Sequence, residues 1–218
     1  MAIRVKICGV TTPEDAAHAA ESGADALGLN FYPQSPRCIS ATQAAAIVRA
    51  VPAFTSAVGV FVSTPLRQAC AIAYQLGLRG LQTYDDSPPA DDAFPFAHIP
   101  AFRIADAAGL ERIRQYVAAA KLANRPPAAI LVDSLVAGQM GGTGHTAPWQ
   151  LLAGFDVGVP LILAGGLTPE NVAEAIERVR PWGVDVASGV EASPGRKDPR
   201  KVERFVAAVR SAAARLGV

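Results

Sequence analysis

The chain has 218 residues, half of them hydrophobic, and a formal net charge of +1. That length suits one α/β domain with a sizeable core, and the near-neutral balance removes the electrostatic case for nucleic acid or an anionic membrane as partner. Three cysteines without regular spacing exclude a disulfide framework and fit a reducing compartment, and none has a partner at zinc-ligand spacing, so no metal is expected.

The N-terminus enters an apolar segment at once. It shows no signal-type h-region, and no stretch reaches the roughly 20 apolar residues of a membrane span, so a cytoplasmic location is expected. Short apolar runs then recur at 5–8, 26–31, 57–61, 80–82, 101–104, 129–133, 161–164 and 184–187. Their apolarity is continuous, the pattern of parallel strands buried on both faces. Helical patterns separate them. Thr12-Pro13-Glu14-Asp15 is a helix start, with a cap residue, an early proline and early acids. Thr64-Pro65, Thr168-Pro169-Glu170 and Asp198-Pro199-Arg200 repeat it, and Val202, Phe205, Val206 and Val209 keep the helical period. The fourth unit is weak: residues 87–96 are rich in Pro and Asp and leave room for only a short helix. Eight strand–helix units in this length predict a single (β/α)8 barrel over residues 1–218 rather than an open doubly wound sheet.

In such a barrel the active groups lie at the C-terminal ends of the strands. The first strand ends Lys6-Ile7-Cys8-Gly9. Cys8 is either a small packed hydrophobe or a general base whose pKa must fall from about 8.5 to act at neutral pH. Lys6, two residues back, points to the same side. The sixth strand ends in Asp133 after a wholly apolar run, where an unpaired acid is costly; partial burial would raise its pKa and suit a general acid, and a structural hydrogen-bond acceptor is the alternative. Gly165-Gly166 and Ser188-Gly189 close the seventh and eighth strands, the place where barrels bind phosphate through backbone N–H groups and a helix N-terminus. Arg37, after the second strand, is either a solvated loop residue or a planar donor pair for a carboxylate. The glycines from 138 to 144 form either a lid or a flexible connection. His18, His98 and His145 show no triad or metal spacing.

Taken together, the strand-end words resemble one family. Lys6-Ile7-Cys8-Gly9 with Thr12 and Asp15-Ala16, and Phe31-Tyr32-Pro33-Gln34-Ser35-Pro36-Arg37, are similar to its first two motifs. Val132-Asp133-Ser134 with Gly141-Gly142-Thr143-Gly144 and Trp149 resembles its sixth-strand region. Leu163-Ala164-Gly165-Gly166-Leu167-Thr168-Pro169-Glu170-Asn171-Val172 resembles its seventh, and Gly183-Val184-Asp185-Val186-Ala187-Ser188-Gly189-Val190-Glu191 with Ser193-Pro194-Gly195 and Lys197-Asp198 its eighth. These are the motifs of phosphoribosylanthranilate isomerases of tryptophan biosynthesis.

The resemblance implies a cytoplasmic, cofactor-free barrel acting on a small phosphorylated substrate; no metal is expected, and the sequence leaves monomer or homodimer open. It implies Cys8 as general base, Asp133 as general acid, Arg37 on the anthranilate carboxylate, and Gly165, Gly166, Ser188 and Gly189 on the phosphate. Two places depart from it. Gln82-Thr83-Tyr84-Asp85 stands where the family commonly shows Gln-Leu-His-Gly, and His145 stands where its lid carries Lys or Gln. The sister isomerase of histidine biosynthesis resembles this chain in its phosphate site but uses an aspartate where this chain has Cys8. A non-catalytic phosphate binder would need the glycine loops and neither Cys8 nor Asp133.

Overall fold

The first apolar run is strand β1, Arg4–Cys8, and Thr12 caps the helix behind it, α1, Pro13–Glu21. The Thr12 hydroxyl accepts from the Asp15 amide at 3.1 Å, and Pro13 sits in the first turn, where a missing N–H costs nothing. A computed structural model of the chain describes residues 2–84, 87–89, 94–133 and 149–217. The unit recurs as β2 (Ala26–Asn30), α2 (Ala41–Ala50), β3 (Ser56–Val60), α3 (Leu66–Leu76) and β4 (Gly80–Thr83). It continues with β5 (Ala97–Arg103), α4 (Ala107–Leu122), β6 (Ile130–Asp133), the short α5 (Trp149–Leu152) and β7 (Leu161–Ala164). The chain then runs through α6 (Val172–Val179), β8 (Gly183–Val186), a 3-10 turn (Ser188–Val190), and the antiparallel pair β9 (Glu191–Ser193) and β10 (Arg196–Lys197) to α7 (Pro199–Leu216).

Strands β1 to β8 close into a parallel barrel in sequence order, with β1 bonded to β2 on one side and β8 on the other. Period-two alternation along each strand separates two buried layers. Val58, Ile99, Ala101, Leu131, Ile162 and Ala164 form a cluster of their own inside the barrel. Their out-of-phase neighbours, such as Val5, Ile7, Leu27, Ile130, Leu163 and Val184, pack with helix residues such as Ile113, Ile176, Phe205 and Val209. Burial on both faces is why the strands read as unbroken apolar runs.

Three local expectations differ from what is found. Strand β5 begins at Ala97, four residues earlier than its apolar run, because His98 and Pro100 hide it: buried His98 meets the Thr83 hydroxyl at 3.0 Å, and Pro100 still pairs with Thr83 across β4. Helix α3 has no side-chain cap, since the Thr64 hydroxyl turns back to donate to the Val62 carbonyl at 3.3 Å. Helix α6 starts after Asn171 rather than Thr168. The Thr168-Pro169-Glu170 segment is instead a turn, fixed by the Thr168 amide donating to Asn171 Oδ1 at 2.8 Å. Between β4 and β5 the described residues form no helix.

Candidate active site

Cys8 ends β1 inside the barrel mouth and is buried, one inward step above Lys6. Gly28 of β2 stands opposite Cys8, and a methyl group there would lie 2.8 Å from the Cys8 sulfur and 3.0 Å from Lys6 Nζ. Sulfur and ammonium thus share the small space that glycine leaves. On the other side Lys6 Nζ donates to Asp185 Oδ1 of β8 at 2.8 Å, and both side chains are buried. Burial pulls the Lys6 ammonium down, but Asp185 and Cys8 more than offset it and hold it above the usual lysine range. Burial pushes the Cys8 thiol up, opposed by Lys6.

Asp133 ends β6, half-buried, in register with Arg103 of β5 and Ala164 of β7. Tyr84, just past β4, lies within electrostatic reach of both Cys8 and Asp133. Its hydroxyl accepts from Gln82 Nε2 at 3.2 Å, and the Arg103 guanidinium lies 5.7 Å from its ring centre.

After β7, Gly165 and Gly166 both adopt left-handed backbone, φ +94° and +64°, which glycine enters without the penalty a side chain brings. After β8, Ser188 and Gly189 open the 3-10 turn. A methyl group on Gly189 would lie 1.9 Å from the Leu167 carbonyl oxygen, so the two loops pack backbone to backbone. Among the described residues no acceptor is paired with the amides of Gly166, Ser188 or Gly189.

Arg37 is anchored rather than free. Its Nε and Nη2 donate to the two oxygens of Glu191 at 2.7 and 2.6 Å, and its stem lies against Gly9. Glu191 also accepts from the buried Lys197 at 2.9 Å. Burial pushes the Glu191 carboxyl up, but Arg37 and Lys197 together hold it below the usual carboxylate range. Cys8 adds to the forces that raise Arg37, which puts the guanidinium in electrical contact with the mouth.

The sequence reading missed Asp185, Glu191 and Tyr84 as neighbours of these groups. For Asp185 the signal was present: it is an acid between Val184 and Val186, the same anomaly that singled out Asp133. Ser134, the 138–144 loop, His145 and Asp85 lie outside the described residues. Among the described residues no cluster of His, Cys, Asp or Glu is arranged to hold a metal ion. A separate cavity of about 410 Å³ opens at the opposite, N-terminal end of the strands, lined among others by Phe54, Ile99, Ile162 and Trp182. No helix among the described residues is long and apolar enough to cross a membrane.

A closed parallel barrel with ionisable side chains gathered at the C-terminal mouth and glycine loops after its last two strands is the architecture of (β/α)8 enzymes. The sequence pattern of the N-(5'-phosphoribosyl)anthranilate (PRA) isomerases matches residues 5–208, and the chain belongs to that family. The isomerase of Magnetococcus marinus is 43% identical over 213 residues, 97% of each chain. The phosphoribosyl anthranilate isomerase structure from Thermotoga maritima superposes with a TM-score of 0.84 at 38% identity, over 96% of this chain and 99% of that one. An isomerase structure in complex with reduced 1-(o-carboxyphenylamino)-1-deoxyribulose 5-phosphate gives 0.82 at 36% identity, with the same coverage. A third, described as monomers generated from the dimeric Thermotoga maritima enzyme, gives 0.81 at 34%, again over 96% and 99%. The chain is accordingly an isomerase of tryptophan biosynthesis, converting N-(5'-phosphoribosyl)anthranilate to 1-(2-carboxyphenylamino)-1-deoxyribulose 5-phosphate.

Proposed function

We propose that Cys8 and Asp133 carry the two proton transfers of this Amadori rearrangement. Asp133, as general acid, protonates the furanose ring oxygen, and the ring opens to a Schiff base. The Cys8 thiolate, as general base, takes the proton from the sugar C2′. The enolamine so formed tautomerises to the ketone of the product. Hydrogen moves within one molecule, so the balance needs no redox partner. The observation that supports this best is the Lys6 ammonium packed beside the Cys8 sulfur over Gly28: it offsets part of the burial that, as the larger effect, keeps the thiol above its ordinary range, so the thiolate forms on the alkaline side.

Substrate binding is assigned to the remaining strand ends. The amides of Gly165, Gly166, Ser188 and Gly189 hold the phosphate, which suits a near-neutral chain without an arginine cluster. Arg37, its Nε and Nη2 fixed on Glu191, presents its remaining edge to the anthranilate carboxylate. The whole chain, 1–218, works as one cytoplasmic barrel domain without metal or cofactor. The test is loss of fluorescence of freshly generated phosphoribosylanthranilate with chelator present. Turnover is expected; none from folded protein would overturn the proposal.

For assembly, a homodimer is favoured over a monomer. Phe54 is fully exposed and Trp182 is 41% exposed, and both border the N-terminal cavity, where a second copy would cover them. A structural relative is described as dimeric. Sedimentation should give a dimer that Phe54→Asp splits; a monomeric native protein would overturn this.

A further inference from the structure

Tyr84 stands where the family resemblance implies histidine, and the acid–base assignment leaves it without a role. Its position is nonetheless fixed with care. Gln82 and Tyr84 are two apart on and just past β4, so both face the barrel interior. Gln82 is wholly buried, and its Nε2 donates to the phenol oxygen at 3.2 Å. Arg103, next in the ring on β5, lies over the aromatic face at 5.7 Å, a cation–π contact that holds the ring from one side. The ring also packs against the apolar cluster inside the barrel. A side chain held by a hydrogen bond, a cation and an apolar wall has little rotational freedom left.

The surroundings give that fixed hydroxyl its chemistry. Tyr84 feels Cys8, Asp185, Lys6 and Asp133 together, so it lies among the groups that must flank the reacting carbons. Burial, with Cys8 and Asp185 adding to it, pushes the phenol up to about 12, and it stays protonated across the working range. It is therefore a neutral donor among charged groups. With Gln82 Nε2 occupying its oxygen as a donor, the phenol O–H is the part left for a further acceptor. The opened substrate brings such acceptors: hydroxyl oxygens along the ribosyl carbon chain between the phosphate and the anthranilate nitrogen.

Resting on the assignment of Cys8 and Asp133, we propose that Tyr84 is a substrate-contacting residue of the isomerisation, its phenol donating a hydrogen bond to a hydroxyl oxygen of the ribosyl chain as that chain lies between the two. Tyr84 moves no proton. It fixes the carbon chain so that C2′ faces Cys8, the kind of positioning on which acid–base catalysis depends.

The test is Tyr84→Phe in the full-length protein, which keeps the ring and the Arg103 contact and removes only the hydroxyl. Loss of one neutral hydrogen bond should lower kcat/KM about tenfold. The reduced product analogue, which keeps the hydroxyl chain, should inhibit about tenfold more weakly, while inorganic phosphate, which has no such chain, should inhibit as before. A merely structural role would move both inhibitors together; the melting temperature is expected to fall in either case, because buried Gln82 Nε2 loses its acceptor. Tyr84→Phe with native kcat/KM, or with both inhibitors weakened alike, would overturn the proposal. If Cys8→Ala or Asp133→Asn instead kept native turnover, the acid–base assignment would fail, and the two failures are distinct.

Discussion

Lys6 Nζ and Asp185 Oδ1 meet at 2.8 Å across the junction where β8 closes on β1, two residues deeper along the barrel than Cys8. Both side chains are buried, so the pair keeps most of its attraction, and removing either partner would strand a charge away from water. The ammonium pulls the Cys8 thiol towards its ionised form, and the carboxylate pulls the other way more weakly.

A pH profile follows from that arrangement. Because burial raises the Cys8 thiol, the ascending limb of kcat/KM against pH should lie above the ordinary thiol range, near which a solvent-exposed cysteine would ionise. Lys6→Met removes the strongest opposing charge and should move the limb to still higher pH, with activity at neutral pH falling more than activity in alkali. The same substitution leaves Asp185 without its partner and should cost about 3 to 5 kcal/mol in urea unfolding. An unmoved limb in Lys6→Met would mean that the titrating base is not Cys8.

Cys8→Ala and Asp133→Asn should each lower kcat by about 10² to 10⁴-fold, the usual contribution of one positioned acid or base. Cys8 is small and Asp133 is half-buried at a strand end, so neither change opens a large core cavity, and melting temperatures should stay close to native. Steady-state rates on phosphoribosylanthranilate decide it. Native-like turnover in either variant would remove that residue from the mechanism.

Much of this geometry was legible in the chain, and what was not has a common cause. The eight strands show because both their faces are buried and the apolar runs are unbroken. Cys8, Asp133 and the two glycine pairs were legible as strand-end residues, since position in a barrel follows from the strand alone. Lys6 with Asp185, and Arg37 with Glu191, join residues 179 and 154 positions apart, and no local pattern announces such pairs. Pro100 hid the start of β5 because proline argues against a buried strand, yet here the barrel accommodates it. Thr168 misled in the other direction: its hydroxyl and amide build a turn that places the α6 cap at Asn171.

Gly189→Ala should act on the phosphate rather than on the chemistry. The added methyl group would lie 1.9 Å from the Leu167 carbonyl oxygen, which is backbone and has nowhere to retreat, so the loops after β7 and β8 must separate. Their amides then lose alignment. KM for the substrate and the inhibition constant for inorganic phosphate should rise together by tenfold or more, on the scale of one or two lost charge-assisted hydrogen bonds. If kcat falls while both constants stay native, these loops do not hold the phosphate.

Glu191→Gln separates stability from binding. In the folded protein Arg37 and Lys197 hold the Glu191 carboxyl below its unfolded value, so its contribution is present above the ordinary carboxylate range and is lost as pH falls through the lowered folded value. The native protein should therefore lose stability on the acid side in a way the Gln variant does not. At neutral pH the variant, which leaves Lys197 buried without a counter-charge, should be less stable by about 3 kcal/mol, and that gap should narrow on acidification. Arg37 also loses its anchor on Nε and Nη2, so substrate KM should rise even where the variant is fully folded. Unfolding midpoints measured from neutral into acid pH, alongside KM, test both halves. A pH-independent gap would show that Glu191 is not the group that titrates, and a native KM would show that Arg37 keeps its orientation without it.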